Sequence, residues 1–269
     1  LQVAILIWGC VFCAIAAICI FLSSNYDREK RRYLILMESF ASLLLLMDAM
    51  AHIFSGYPGV PGSVMVCISS FLVFLLSDVF LLCFHIYVCV YLFSKKERRT
   101  LKRVKAGYVI AAAGAAFVVI SQFTHWYYYI DVDNYYHRAP LYIMSILLPA
   151  AGLLIDLTLL LQYKKRVSRK LLFSMLSCVV LPAVAAAVQA FWYGMSLIEF
   201  SVGISMIIMF IVTMTELNQE MYQLISREGK IKERLEIATI LNKCIAELIS
   251  GEDEDAAILF HGVLLPTDT

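Results

Sequence analysis

The chain has 269 residues, of which 61% are hydrophobic and 16% are charged, and its formal net charge is +1. Soluble globular domains carry roughly 45–50% apolar and about 25% charged residues. The composition therefore excludes an ordinary soluble domain and predicts an integral membrane protein. With charges of both signs nearly balanced, no nucleic-acid partner is expected.

Seven apolar segments approach or exceed the length of about 20 residues that a helix needs to cross a bilayer. They are residues 3–22, 33–54, 64–93, 106–121, 141–163, 171–193 and 197–214. The first is followed, not preceded, by basic residues, which is the opposite of a secretory signal peptide. The sequence therefore predicts an all-α bundle of seven membrane-spanning helices.

Basic residues are concentrated in alternate connections between these segments. The first, third and fifth connections carry sixteen of them: Arg28, Lys30, Arg31, Arg32, Lys95, Lys96, Arg98, Arg99, Lys102, Arg103, Lys105, Lys164, Lys165, Arg166, Arg169 and Lys170. The other three connections contain only Arg138. Because basic loops remain in the cytoplasm, we expect an outside N-terminus and a cytoplasmic C-terminus in a multi-pass protein of the plasma membrane. This orientation places Trp8, Trp126 and Trp192 at the outer interface, where aromatic belts form.

Ionisable side chains inside the predicted spans are costly in hydrocarbon and indicate function by default. They are Glu38, Asp48, His52, Asp78, His85 and Asp156. Helical spacing places Asp48 and His52 on one face, and Asp78 and His85 on one face. Since the spans contain no Lys or Arg, we expect protonated, hydrogen-bonded acids or acids that line a polar cavity. Two interpretations stay open: a ligand pocket or proton path, and hydrogen bonds that hold helices together.

The connection between the fourth and fifth spans is rich in aromatic and charged side chains. Its candidate ligand-binding residues are His125, Trp126, Tyr128, Asp131, Asp133 and His137. Such a set is typical of a binding surface. An interfacial aromatic belt with an Asx turn has the same composition, so both interpretations remain. The segment DVDN lacks the rest of a calcium loop, and neither a metal site nor a cofactor is predicted.

Small residues and prolines predict how the later spans pack. Gly107, Ala111 and Ala115 recur every four residues, a pattern that lets helix backbones approach closely. Pro149 and Pro182 predict kinks in the fifth and sixth spans. We expect the fourth, fifth and sixth helices to lie in close contact.

After residue 214 the composition becomes charged, while no Gly or Pro interrupts the junction. A heptad pattern of apolar residues continues through Met214, Leu217, Met221, Leu224, Ile231, Leu235, Ala238, Ile245 and Ile249. Glu228 and Asn242 occupy core positions and Gly229 adjoins the first, which predicts a weak middle. Residues 215–250 therefore form either a coiled-coil-like helix of a homodimer or an amphipathic helix docked on another domain.

Several catalytic classes have no counterpart in this sequence. The seventh span has no Lys for a retinal Schiff base, and the motifs GxxxxGK[ST], GxGxxG and HExxH are absent. We therefore do not expect the chain to be an enzyme.

Three stretches and the helix at 215–250 together carry a resemblance to a known family. The stretches are NYDREKRRYLILM (25–37), SFLVFLLSDVFL (70–81) and SQFTHWYYYIDVDNYYHR (121–138). Over residues 1 to about 250 the chain resembles the seven-span sensory modules of Firmicute signalling proteins. The outputs of that family include GGDEF diguanylate cyclase domains, sometimes with EAL domains, and histidine kinases. No cyclase or kinase residue has a counterpart here.

The resemblance implies three parts. Residues 1–214 are expected to sense an extracytoplasmic or intramembrane stimulus, either a small molecule or a state of the bilayer. Residues 215–250 are expected to relay it to an output domain, of which residues 251–269 are the truncated start. Two other functions remain, a proton-coupled transporter, motivated by the unpaired intramembrane acids, and a structural membrane protein.

Overall fold

The structure is a computed structural model that describes residues 1–23, 27–191 and 194–250. Its elements are α1 (Gln2–Leu22), α2 (Arg28–Phe54), α3 (Val60–Leu92), α4 (Lys95–Thr100), α5 (Lys102–Thr124), β1 (Tyr128–Ile130), β2 (Tyr136–Arg138), α6 (Met144–Gln162), α7 (Arg169–Phe191) and α8 (Leu197–Ser250). Seven of the described helices, all except the short α4, are long and apolar enough to cross a membrane. The predicted all-α class and its seven membrane-length helices are confirmed.

Several helices begin earlier than hydropathy predicts, because hydropathy does not detect helix caps. The second helix begins at Arg28, where the Asp27 carboxylate accepts the backbone N–H groups of Glu29 (3.0 Å) and Lys30 (3.1 Å). An N-cap of this kind extends a helix into its polar flank. The third helix begins at Val60, since a proline is tolerated in a first helical turn.

The helix α3 is the centre of the bundle. It packs against α2, α5 and α6, and α2 also packs against α1. The side chains of Phe84, Tyr87 and Val88 on α3 are fully buried. The helices α5 and α6 also contact each other, as do α6 and α7.

A stripe of small residues brings α5 close to α3, with one change from the predicted pattern. Gly107 and Ala111 are buried, but the stripe continues with Gly114 while Ala115 is only partly buried. A methyl group on Gly107 would overlap the His85 ring. The two glycines are therefore needed where α3 presents bulky polar side chains.

The three basic connections lie together at one end of the bundle. Glu29 pairs with Arg98 at 3.0 Å, and Glu97 pairs with Arg166 at 3.2 Å. Arg166 also donates to the backbone carbonyl of Leu92 at 2.7 Å. Partly exposed ion pairs contribute little stability, about 0–1 kcal/mol each. These ion pairs instead hold the start of α2 and the connections before α5 and α7 next to one another.

The chain divides into two compact units between Met214 and Thr215. In the first unit, α8 contacts α1 through the Phe12 and Phe210 rings at 5.9 Å. It contacts α7 where the Ser205 hydroxyl donates to the Ser177 carbonyl at 3.1 Å.

In the second unit α8 continues to Ser250. Leu217 is buried in this unit, but several of the large apolar side chains that follow it are exposed. Leu224, Ile231 and Leu235 are 54%, 59% and 62% exposed. Two predictions, the truncated output domain at residues 251–269 and the interfacial position of Trp192, lie outside the described residues.

Candidate functional site

A cavity of about 580 Å³ lies in the first unit, at the end of the bundle that carries the β1–β2 hairpin. Its wall is formed by α2, α3, α5, α6, α7, the hairpin and the start of α8. The charged and histidine side chains on the wall are Asp48, His52, Asp78, Arg138 and Glu199. The volume lies within the range of pockets that hold small organic ligands, about 300–1,000 Å³. We refer to this space as the hairpin cavity.

Both helix-interior prolines of α6 and α7 are on this wall. Pro149 has no N–H group, so it cannot bond to the carbonyl of Ser145, another wall residue. Pro182 affects α7 in the same way. Each proline thus leaves one backbone carbonyl of its helix without the usual helical hydrogen bond near the cavity.

Asp48 and His52 belong to a polar cluster that joins α1, α2 and the residue before α8. The His52 Nε2 atom lies 2.8 Å from the Ser196 hydroxyl and 2.8 Å from the Gln2 amide nitrogen. The Asp48 carboxylate approaches the same ring nitrogen at 3.7 Å. In a Ser-His-Asp triad the carboxylate holds the other ring nitrogen, so this cluster does not have the geometry of that catalytic site.

Asp78 lies on the same wall, where α3 faces α5. Its side chain is opposite Gly114, and a methyl group on that glycine would lie 2.8 Å from the Asp78 Oδ1 atom. The absence of a side chain at residue 114 therefore makes room for the carboxyl group. The structure thus brings three of the predicted residues, Asp48, His52 and Asp78, to one cavity.

His85 and Asp156 are not on the cavity wall and form a separate buried pair. The His85 Nδ1 atom lies 2.6 Å from Asp156 Oδ1, and its Nε2 atom lies 3.0 Å from the Val104 carbonyl oxygen. A carbonyl only accepts, so the Nε2 proton points to Val104. The remaining proton is shared between His85 and Asp156, and the pair is neutral overall with either partner protonated. This geometry ties α3 to α5 and α6, as expected for the interhelical interpretation.

The hairpin turn is organised around Asp131. Its Oδ1 atom accepts the backbone N–H groups of Tyr135 at 2.8 Å and Asp133 at 3.0 Å. Its Oδ2 atom lies 2.7 Å from His137 Nε2. The Tyr135 N–H group, followed by the His137 side chain, lowers the pKa of Asp131. This is an Asx turn, and it uses two of the predicted ligand-binding side chains within the hairpin itself.

Aromatic stacking fixes the hairpin to α3. The Tyr128 ring stacks on the Phe74 ring, with 5.3 Å between ring centres, and on the Tyr136 ring, with 5.4 Å between ring centres. Burial raises the pKa of Tyr127 and of Tyr128 to about 12, so both phenols are neutral at physiological pH. The strands themselves were not predicted, because three-residue strands leave too short a periodicity to detect.

Two further contacts position the hairpin above the cavity. The Asn134 side chain donates to the Tyr57 carbonyl at 2.8 Å, which holds the hairpin against the α2–α3 connection. Arg138 donates to the Gln189 carbonyl on α7 at 3.1 Å. The hairpin therefore spans the cavity from α3 to α7.

The predicted residues of this connection do not face the cavity. His125, Trp126 and Asp133 are exposed, and none of the predicted six is on the wall. The hairpin side chains on the wall are instead Tyr127, Tyr135, Tyr136 and Arg138. Within β2, the alternation of a strand accounts for Tyr136 and Arg138 on the wall and for His137 on the other face.

Glu199 is an acidic wall residue that was not among the predicted site residues. It is the one acidic residue in the last predicted span and stands near the start of that span. The other acids were identified as isolated charges in membrane-length apolar segments, and the same criterion would have identified Glu199.

Among residues 1–23, 27–191 and 194–250, no group of three or more His, Cys, Asp or Glu side chains is placed to hold a metal ion. No protein-family model, no curated protein and no solved structure matches this chain. The fold and the site define a seven-helix protein of membrane-spanning type with a ligand-sized cavity beneath a β-hairpin.

Proposed function

We propose that residues 1–214 are the membrane sensory module of a bacterial signal-transduction protein. The observation that carries this proposal is that α8 begins at the cavity wall and continues past residue 214. Ser196 and Glu199, at the start of this helix, are on the wall of the hairpin cavity, and the helix continues without interruption to Ser250. A molecule that fills the cavity therefore contacts the start of the helix that continues past residue 214.

Side chains of the cavity hold the start of α8 in place. The Ile198 backbone N–H donates to the Gln189 side-chain oxygen at 2.9 Å, and Ser196 lies 2.8 Å from His52. A ligand that binds better to one arrangement of these contacts than to another shifts the population toward that arrangement. Rotation or displacement of α8 is then the output of the sensor.

We further propose that the hairpin cavity faces outward and the C-terminus is cytoplasmic, in the plasma membrane. The basic connections lie at one end of the bundle, and the hairpin follows the opposite end of α5. Positively charged connections remain in the cytoplasm. A stimulus from outside the cell then has access to the cavity.

The exposed apolar side chains of α8 beyond Thr215 support a homodimer. Leu224, Ile231 and Leu235 fall on heptad core positions and are each more than half exposed. Burying these side chains against a second copy removes apolar surface from water. The dimer would transmit the displacement of α8 to a cytoplasmic output domain of GGDEF or histidine kinase type.

Cysteine cross-linking in native membranes tests the dimer. In a variant without the eight native cysteines, we expect Leu224→Cys and Leu235→Cys to form disulfides between copies. Ser226→Cys and Glu233→Cys, on the opposite face of the heptad, are the controls and should form few. Equal cross-linking on both faces would contradict the dimeric helix.

The same assay tests the relay from the cavity. Gln189→Ala and Ser196→Ala release the start of α8, and we expect each to change the cross-linking rate at Leu235→Cys by about fivefold or more. Arg103→Ala is the control, because it removes an exposed hydrogen bond to Gln162 away from the cavity. If neither cavity variant differs from this control, the sensory proposal fails.

A proton-coupled transporter is the second candidate, favoured by the three carboxyl groups that share one cavity. Asp78→Asn separates the transporter from the sensor. Asp78 is on the cavity wall, but it takes no part in the Ile198–Gln189 and Ser196–His52 contacts at the start of α8. Loss of solute-driven proton uptake in vesicles, with normal cross-linking of α8, supports the transporter. Loss of folded protein alone supports a structural role.

A further inference from the structure

We infer that the hairpin cavity binds an organic cation, a protonated amine carried on an apolar or aromatic body. This inference names the ligand class of the proposed sensory site and rests on the cavity being a ligand site. It does not depend on how α8 transmits the result.

The cavity presents three carboxyl groups that are each more than nine-tenths buried. Asp48 and Glu199 are 7% exposed and Asp78 is 6% exposed. Among the residues that the structure describes, the Oδ2 atom of Asp48 and the Oε2 atom of Glu199 have no hydrogen-bond partner. Carboxyl oxygens of Glu38 and Asp156 also have none, but these two residues are not on the wall. Buried polar atoms without partners are rare in folded proteins and are costly. A ligand that donates hydrogen bonds would satisfy them.

The protein's own cations on this wall do not fill that role. The Arg138 guanidinium donates to the Gln189 carbonyl and lies 4.4 Å from the centre of the Tyr142 ring. His52 lies between Gln2 and Ser196, and it approaches only Asp48 among the three acids. No lysine is among the wall residues in the part of the chain that the structure describes. A bound cation would favour the ionised form of these carboxyl groups and pair with them.

The rest of the wall determines the body of the ligand. Phe74, Tyr127 and Tyr142 contribute aromatic rings, and Val66, Val118 and Leu153 contribute aliphatic surface. Aromatic rings stabilise a cation placed over their faces, while the aliphatic wall suits an apolar body. An ammonium group offers three donors to the unsatisfied carboxyl oxygens. An anionic ligand would gain no such pairing and would disfavour ionisation of the same groups.

Three probes with similar phenylalkyl bodies but different charges test this inference. They are 4-phenylbutylamine, 4-phenylbutan-1-ol and 5-phenylpentanoate, titrated by calorimetry into the purified full chain in nanodiscs, with empty nanodiscs subtracted. Charge-assisted hydrogen bonds are about twice as strong as neutral ones. We expect the amine to bind about tenfold more tightly than the alcohol, and the carboxylate to bind most weakly.

Isosteric variants assign that preference to the cavity. Glu199→Gln and Asp78→Asn should reduce the preference for the amine over the alcohol to about threefold or less. Glu38→Gln is the matched control, since Glu38 is fully buried but is not on the wall. It should leave the preference unchanged, and each variant is first checked for a monodisperse, cooperatively melting protein.

Each outcome decides for or against the inference. Equal binding of amine and alcohol, preferential binding of the carboxylate, or no binding of any probe overturns it. So does a loss of preference in Glu38→Gln equal to that in Glu199→Gln. Amine selectivity with unchanged cross-linking of α8 would retain this inference and reject the sensory relay, so the two proposals fail separately.

Discussion

Individual acidic residues inside this bundle have two different surroundings. Asp156 is paired with His85 through its Oδ1 atom, and their shared proton leaves no net charge between α3 and α6. The Asp156 Oδ2 atom has no hydrogen-bond partner among the described residues, but it is not beside the cavity. Asp48 and Glu199 each retain a carboxyl oxygen without a partner beside a cavity. The first arrangement stabilises helix contacts, while the second leaves capacity for a ligand.

The His85 pair depends on a glycine, which gives the first prediction. Gly107→Ala would place a methyl group inside the His85 ring, so the ring must move and its bonds to Asp156 and Val104 must lengthen. We expect a loss of about 1–3 kcal/mol, the usual cost of overpacking. Thermal unfolding of the purified protein in detergent measures it as a lower melting temperature.

Gly203→Ala is the matched control for this substitution. Its added methyl group would lie 3.4 Å from Leu45 Cδ1, an ordinary contact, and alanine favours the helix. We expect an unchanged or slightly higher melting temperature. A fall as large as that of Gly107→Ala would show that close packing at His85 is not the cause.

At the scale of elements, the β1–β2 hairpin is too short to be stable by itself. Strands of three residues form few hydrogen bonds, and an isolated hairpin is marginal in water. Its conformation is maintained by the Asx turn of Asp131, by the stack of Tyr128 on Phe74 and by the bond from Asn134 to Tyr57. The hairpin therefore covers the cavity only while these side-chain contacts persist.

The lowered pKa of Asp131 predicts acid sensitivity of the hairpin. A carboxyl group whose pKa is lower in the folded state stabilises that state above its unfolded pKa, about 3.9, and ceases to do so as the pH falls through the folded value. We expect the amides of residues 127–138 to keep their protection from hydrogen exchange between pH 6 and pH 5 and to lose it as the pH falls below about 4, after correction for intrinsic rates.

Asp131→Asn keeps an oxygen for the turn but removes the charge. We expect this variant to exchange faster at pH 6 and to show little further change at pH 3. Amides in the middle of α5 serve as the internal reference. An unaltered pH response in Asp131→Asn would assign the acid sensitivity to another group.

At the scale of the whole molecule, the three basic connections lie at one end of the bundle and the β1–β2 hairpin lies at the other. One end carries the ion pairs of Arg98 and Arg166, and the other carries the hairpin and its tyrosines. This separation is the structural basis for the proposed orientation.

Accessibility of single cysteines tests the orientation. In a cysteine-free background, Val132→Cys lies at a position that is 97% exposed in the hairpin turn, and Lys96→Cys lies in an exposed basic helix. In intact cells, a membrane-impermeant maleimide should label Val132→Cys and reach Lys96→Cys only after permeabilisation. The reverse pattern would place the cavity toward the cytoplasm and would reject an extracellular stimulus.

The number and type of the long helices were determined by the sequence alone. An apolar run of about 20 residues forms a helix in a membrane whatever its neighbours, because its backbone groups must bond within the segment. The basic connections and the continuity of α8 across Met214 are equally local properties. Helix starts at Arg28 and Val60 were missed, since caps and first-turn prolines lie outside the apolar runs.

The site was decided by tertiary structure. Helical spacing placed Asp78 and His85 on one face of α3, yet they have different partners, because α5 presents Gly114 to one while α6 presents Asp156 to the other. Likewise, Glu199 shares a cavity wall with Asp48 and Asp78 only because α8 packs against α2 and α7. Periodicity along one chain segment specifies which side chains share a face, but the residue opposite that face is set by how separate helices pack.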